Sequence, residues 1–360
     1  MRTSVLAPCV LIIAGLAGWT ASALKLPLAW VLAPMLVVAL ASMAGLRMPE
    51  IRMGRKIGQL IVGSAIGLTM TPQAAGMLVA WSPLMVLTAF VAIGVTGLLT
   101  VPFARLSGQD TATAFFSLTP GGLSEMAHVG AAEGARTEVV ALAQAVRVAV
   151  LVTVLPLLLR SFGEDGGLLS QEGRLDLPVF VYAGVLLACL LSIRLVRYIG
   201  ANNPWMIGAL LAAALLAGSG LVSGRTPWMP FALGQYLIGI SIGARFERER
   251  MKGILRILGL AMGMVLVLSL VLAGYAWLLS RISGQGLSTT ILLTSPGGMA
   301  EMALTATALH LNVMLVTGFH FARSFIVNAY VSNFYRLFLR LGVFGHMEQL
   351  LSRLAGERRR

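Results

Sequence analysis

Apolar runs of about 20 residues follow one another along the chain, the length that crosses roughly 30 Å of hydrocarbon. Short clusters of Arg, Lys, Gly, Pro or Asp separate them. The pattern predicts two sets of five spanning helices: about 4–24, 28–46, 56–70, 83–104 and 137–159, then 178–197, 203–222, 230–245, 254–280 and 313–340. Before the fifth helix of each set lies a segment, 109–133 or 285–310, that splits in two at Pro-Gly-Gly. No stretch of domain size, about 100 residues, is polar enough to be a separate soluble domain.

The two sets resemble each other residue by residue. GQDTATAFFSLTPGGLSEM (108–126) aligns with GQGLSTTILLTSPGGMAEM (284–302) at an offset of 176. Carried forward, that offset pairs Gln144 with His320 and Arg147 with Arg323. Carried backward, it pairs Gly58-Gln59 with Gly234-Gln235, Gly63 with Gly239, and Ile66-Gly67 with Ile242-Gly243. Trp30 meets Trp205 one residue off this register. Shared hydrophobicity alone would not align spaced Gly, Gln, Pro, Glu and Arg together, so the chain reads as a duplication. The expected organisation is a first membrane repeat over 1–165, a polar linker over 166–177, a second membrane repeat over 178–344, and a basic cytoplasmic tail over 345–360.

Charge adds an orientation. The loop after the second helix carries Arg47, Arg52, Arg55 and Lys56, whereas its counterpart (222–229) carries Arg225 alone. In the second half the basic loop is 245–256, with Arg245, Arg248, Arg250, Lys252 and Arg256, and its counterpart (71–82) has no charge. Basic loops face the cytoplasm, so the halves carry opposite bias and are expected to be inverted repeats. Opposite orientation needs an odd number of crossings per half, which five helices plus one re-entrant Pro-Gly-Gly segment supply. The expected fold class is thus an all-α polytopic membrane protein. Both termini are expected in the cytoplasm.

Composition agrees: 58% of residues are hydrophobic and 11% charged, against about 25% charged in soluble domains. Mean hydropathy is +0.87. A net charge of +13 would suggest nucleic acid in a soluble protein, but here the basic residues sit in short loops and at Arg353, Arg358, Arg359 and Arg360. Membrane orientation accounts for that pattern, and no direct nucleic-acid partner is expected. The cysteines, Cys9 and Cys189, lie far apart in apolar runs and offer no disulfide framework. The N-terminal run resembles a secretory signal, yet it is long enough to span and a matching helix opens the second half, so it is read as a retained first helix.

Candidate chemistry gathers at the breaks. Pro120 removes a backbone donor and Gly121-Gly122 let the chain turn; Pro296 and Gly297-Gly298 repeat this. Each helix that follows directs free N–H groups and its positive dipole end into the gap. Thr119, Ser124 and Ser295, with Ser117 and Thr294 nearby, offer hydroxyls to a solute or to freed backbone groups. Glu125 and Glu301 stand in the first turn after each break. They read either as helix-start carboxylates or as proton or cation carriers. Arg147 and Arg323 lie inside spanning helices, where an arginine must face protein, a carboxylate or a ligand. An internal Glu–Arg pair and an anion held by the forked donors both fit. Gln144 and His320, one turn before each arginine, share its environment. Gln59 and Gln235 suit interhelical hydrogen bonding. The four histidines show no zinc or copper spacing. There is no phosphate loop with its lysine, nucleophile elbow or redox pair, so neither metal, cofactor nor enzymatic activity is expected.

The doubled PGG-x-[SA]-E-M, the Gly-Gln followed by Ile-Gly, and the tryptophan near the start of the second helix resemble the AbrB duplication family over nearly the whole chain. The resemblance implies a bacterial inner-membrane protein of two similar halves. Its members carry two labels, ammonia monooxygenase and regulator of gene expression. The first label asks for a copper-ligand set that this chain lacks; the second implies an indirect effect, because no soluble DNA-binding domain is present. The residues themselves point to a secondary transporter of a small anionic or zwitterionic solute. The breaks and arginines would bind it and the glutamates would couple protons or cations. The alternative is a membrane sensor acting on gene expression through a partner at the basic tail. A homodimer is compatible with either.

Overall fold

Where the sequence alternates apolar runs with breakers, the chain forms helices. In the computed structural model, residues 2–24, 26, 28–46, 48, 52–70, 72–160, 175–198, 203–248 and 255–354 are described. They form fifteen helices and no strand, with one isolated bridge between Asp176 and Arg225. The first seven are α1 (Arg2–Ala23), α2 (Ala29–Met43), α3 (Arg52–Gly67), α4 (Pro72–Ser107), α5 (Thr111–Leu118), α6 (Leu123–Ala132) and α7 (Thr137–Arg160). The next three are α8 (Val179–Tyr198), α9 (Pro204–Gly218) and α10 (Trp228–Gly243). The last five are α11 (Leu255–Ser283), α12 (Leu287–Thr294), α13 (Met299–Ala308), α14 (Val313–Arg340) and α15 (Val343–Leu354). Among the described residues, five segments are long and apolar enough to cross a membrane: Leu6–Ala23, Gly76–Ser107, Thr137–Arg160, Val179–Tyr198 and Leu255–Ser283.

Two boundaries depart from the sequence expectation. The fourth helix begins at Pro72 rather than near 83, so the uncharged 71–82 stretch is largely helical. Pro72 takes the first helical position, where its missing N–H costs nothing, and Pro83 is carried inside the helix, as neighbouring groups permit in membrane proteins. The expected tail begins inside a helix, α15, through residue 354. The remainder of that tail (355–360), the linker as far as 174, and the basic-loop residues Arg47, Arg250 and Lys252 lie outside the described residues.

The chain forms two compact units, each drawing on both sequence halves. The first comprises Met1–Ser82, Val152–Lys252 and Met299–Gly318. It is held by glycine-mediated backbone contact. A Cβ on Gly63 would lie 2.7 Å from the Met206 carbonyl oxygen, and one on Gly67 would lie 2.5 Å from that of Leu210. These contacts bring α3 against α9. The same arrangement joins α10 to α2, where Gly239 meets the Val31 carbonyl and Gly243 that of Met35. Only a residue without a side chain allows backbones so close, which is how membrane helices gain packing where lipid supplies no hydrophobic drive.

The second unit comprises Pro83–Leu151, Gly253–Gly298 and Phe319–Arg360. Its core includes an aromatic cluster: Phe115 and Phe116 of α5, Tyr335 and Phe338 of α14, and Phe344 of α15. Ring centroids lie 5.3 Å apart for Phe115–Phe116 and for Phe115–Tyr335. Helix α15 turns Phe344, Met347 and Leu351 toward this cluster and leaves His346, Glu348 and Gln349 exposed. Arg105 Nη2 donates to its Glu348 carbonyl at 3.1 Å.

Candidate functional site

Each Pro-Gly-Gly ends a short helix, and a helix end leaves carbonyls without intrahelical partners. Helix α5 starts well, since the Asp110 carboxylate accepts from the Thr113 N–H at 2.7 Å and from its hydroxyl at 2.6 Å. It stops at Leu118, because Thr119 turns extended (φ −60°, ψ 126°) before Pro120. Helix α6 then begins at Leu123. Helix α12 likewise stops at Thr294, with Ser295 extended before Pro296, and α13 begins at Met299.

The exposed carbonyls are taken by the long helix that follows. Gln144 Nε2 donates to Phe116 at 2.7 Å and to Thr119 at 2.8 Å. Arg147 donates through Nη1 to the Thr119 carbonyl at 2.8 Å and through Nη2 to that of Gly121 at 2.9 Å. In the second copy, His320 Nε2 meets the Leu292 carbonyl at 2.8 Å. Arg323 sends Nη1 to Ser295 and Nη2 to Gly297. A guanidinium fork thus spans the break on each side, its charge placed at the negative end of the preceding half-helix.

All four side chains are buried: Gln144 at 0% exposure, Arg147 at 1%, His320 at 1% and Arg323 at 4%. They belong to the second compact unit, as do both breaks. The guanidinium charges of Arg147 and Arg323 act on each other and on His320. Like charges in a medium of low dielectric repel strongly. Several buried atoms retain hydrogen-bonding capacity. Among the described residues, Gln144 Oε1, Ser117 Oγ, His320 Nδ1 and Arg323 Nε have no hydrogen-bond partner.

The remaining candidates divide. Hydroxyls near the breaks serve the backbone: Thr119 Oγ1 donates to Phe115 at 2.8 Å, Ser295 Oγ to Leu292 at 3.1 Å and Thr294 Oγ1 to Leu272 at 3.3 Å. Pro120 and Pro296 are buried, whereas Gly121, Gly122 and Gly298 are half-buried. The side chain of Ser124 lies outside the described residues. Glu125 and Glu301 are half-buried in the first turns of α6 and α13. The Glu125 carboxylate folds back over Gly122, occupying the space that a Cβ there would need. Gln59 and Gln235 sit on α3 and α10 in the first unit.

Sequence reasoning missed the role of the break carbonyls. It weighed a carboxylate or a solute as the arginine's acceptor, and the structure gives each guanidinium two main-chain oxygens. The readable signal was the demand itself: a short helix ending in Pro-Gly-Gly leaves carbonyls that a donor must reach.

A family model described as transition state regulatory protein AbrB matches residues 30–339. The chain belongs to the AbrB family. It is 28% identical over 308 residues to "Uncharacterized protein YhjN" of Bacillus subtilis (strain 168), covering 78% of this chain and 77% of that protein. It is 27% identical over 318 residues to "Putative regulator AbrB" of Escherichia coli (strain K12), covering 85% of this chain and 88% of that one. The match spans both breaks and both arginines of this AbrB-family chain, so the constellation lies inside the family region.

Proposed function

We propose that this AbrB-family protein is a secondary transporter of a small anionic or zwitterionic solute in the bacterial inner membrane. The observation that carries the reading is the pair of buried guanidiniums, each fixed on the carbonyls of a broken helix and each within reach of the other's charge. Holding two like charges together in an apolar protein is unfavourable, and an anion beside them would relieve it. Interrupted helices at the meeting point of two repeats are where such carriers bind solute.

The recurrence of backbone features supports the two-repeat reading. Positive φ angles at Leu28, Gly45, Gly108 and Gly134 recur at Asn203, Gly220, Gly284 and His310. Those pairs are separated by 175, 175, 176 and 176 residues. Together with the opposite charge bias of the loops, this favours inverted repeats with re-entrant breaks and cytoplasmic termini. In this reading Glu125 and Glu301 carry the coupling proton or cation.

A second reading is a membrane sensor that acts on gene expression through a partner. It is favoured by the family description and by the printed name of the Escherichia coli relative.

A thermal-shift screen of purified protein against small anions, followed by solute-driven currents in proteoliposomes, tests the proposal. A ligand of the folded state should stabilise it by about 2.7 kcal/mol at a hundredfold excess over Kd. The same compound should drive a current or a proton flux. A compound that binds without flux would favour the sensor, and a protein that no anion stabilises would overturn the anion site.

A further inference from the structure

The two carbonyl clamps match except at one position: the first uses Gln144 where the second uses His320. The Leu292 carbonyl can only accept, so His320 Nε2 carries the hydrogen and the ring's other nitrogen, Nδ1, is a bare acceptor in a neutral imidazole. That nitrogen is buried and has no hydrogen-bond partner among the described residues. Among the described residues, the charges that act on the ring are those of Arg323, one turn along its own helix α14, and Arg147 of α7, both positive. Helix α12 contributes the Leu292 carbonyl. Gln144 offers an equivalent acceptor, Oε1, but an amide cannot take up a proton near neutral pH.

A proton at Nδ1 would make a third positive charge beside two guanidiniums. An anion in the same neighbourhood reverses the sign of that interaction, because its charge attracts the imidazolium as it does the arginines. Proton and anion binding are then coupled, each favouring the other by the same factor.

We infer that His320 is a proton-binding residue, taking a proton from water onto Nδ1 when a small anion lies beside Arg147 and Arg323, so that the two enter the site together. The inference rests on the anion reading above. It adds a proton site to the two glutamates, and it confines this site to the second repeat.

The test uses the full chain in nanodiscs with ¹⁵N-labelled histidine, the His320 signal being assigned by its loss in His320→Gln. Sulfate and succinate are the probes at pH 7, with proton uptake read in weak buffer. The Gln144→His/His320→Gln exchange runs alongside. Without added anion, the ring should show the neutral Nε2–H form. With a stabilising anion it should become imidazolium, with uptake of about one proton per bound anion through this linkage. His320→Gln should lose that uptake and the exchange variant should regain it. If an anion stabilises the wild type while His320 stays neutral, the inference falls and the anion site stands. Uptake that persists in His320→Gln would also overturn it, assigning the proton to a carboxylate. Should neither anion stabilise the protein or drive flux, the inference and the anion reading fall together.

Discussion

A buried arginine whose two terminal nitrogens each hold a main-chain carbonyl is costly to remove, because the carbonyls cannot turn to water. Arg323→Met should lower stability by about 3 kcal/mol, since two buried acceptors lose their donors. Arg323→Lys should recover only part of this, as one ammonium cannot span the Ser295 and Gly297 oxygens that the fork reaches. Thermal unfolding of both variants in one detergent checks the order. Equal stability of the lysine variant and the wild type would mean that charge, and not the fork, holds the break. At Gly122 the neighbour is movable: alanine there would meet only the end of the folded-back Glu125 side chain. Gly122→Ala should therefore cost little, because the carboxylate can swing aside, and its small effect should vanish in the double variant with Glu125→Ala. A double-mutant cycle measures that coupling.

Between elements, the contact between backbones is set by glycine. Gly67→Ala would place a Cβ 2.5 Å from the Leu210 carbonyl and 2.6 Å from Ala213 Cβ, whereas nothing lies within 4 Å of a Cβ at Gly259. The first substitution should lower stability by about 1–3 kcal/mol through overpacking. Gly259→Ala should be neutral or slightly stabilising, as expected of a glycine in a helix interior. Thermal unfolding of the pair separates close packing from mere helix propensity. Helix α15 supplies a second case. Phe344 is buried among Phe115, Tyr335 and Phe338, so Phe344→Ala should cost about 3 kcal/mol by cavity formation. Removal of the tail from residue 345 would strip Met347 and Leu351 from the same cluster. A deletion that asks about a partner at the tail should accordingly begin at 355.

At the scale of the molecule, the re-entrant reading makes a topological demand. Cysteines introduced at Leu106 and Ala132, both exposed, flank the first break and should label from the same side of the membrane. A background of Cys9→Ser and Cys189→Ala keeps the assay clean. Labelling from opposite sides would make the broken segment a full crossing and remove the basis for inverted orientation. Deleting 355–360 separates the two functional readings, since a transporter keeps its flux and a sensor working through the tail loses its output.

Much of this architecture was legible in the residues. Hydrophobic runs longer than a soluble core requires fixed the helices, and Pro-Gly-Gly fixed where two of them stop, because proline removes a donor and glycine removes the Cβ wherever they occur. The repeated spacing of Gly, Gln, Pro and Arg made one half of the sequence resemble the other. Boundaries were less legible: Pro72 suits a turn as well as the first position of a helix, and no charge in 71–82 separates the two. Only the tertiary structure decided partners. Glycine spacing announced close contact at Gly63, Gly67, Gly239 and Gly243, but not that α3 would meet α9 and α10 would meet α2. The acceptors of Arg147 and Arg323 were hidden for a deeper reason. They are main-chain carbonyls, which every residue carries alike: Pro-Gly-Gly marks a helix end that leaves some of them unpaired, but no letter of the sequence says which donor reaches them.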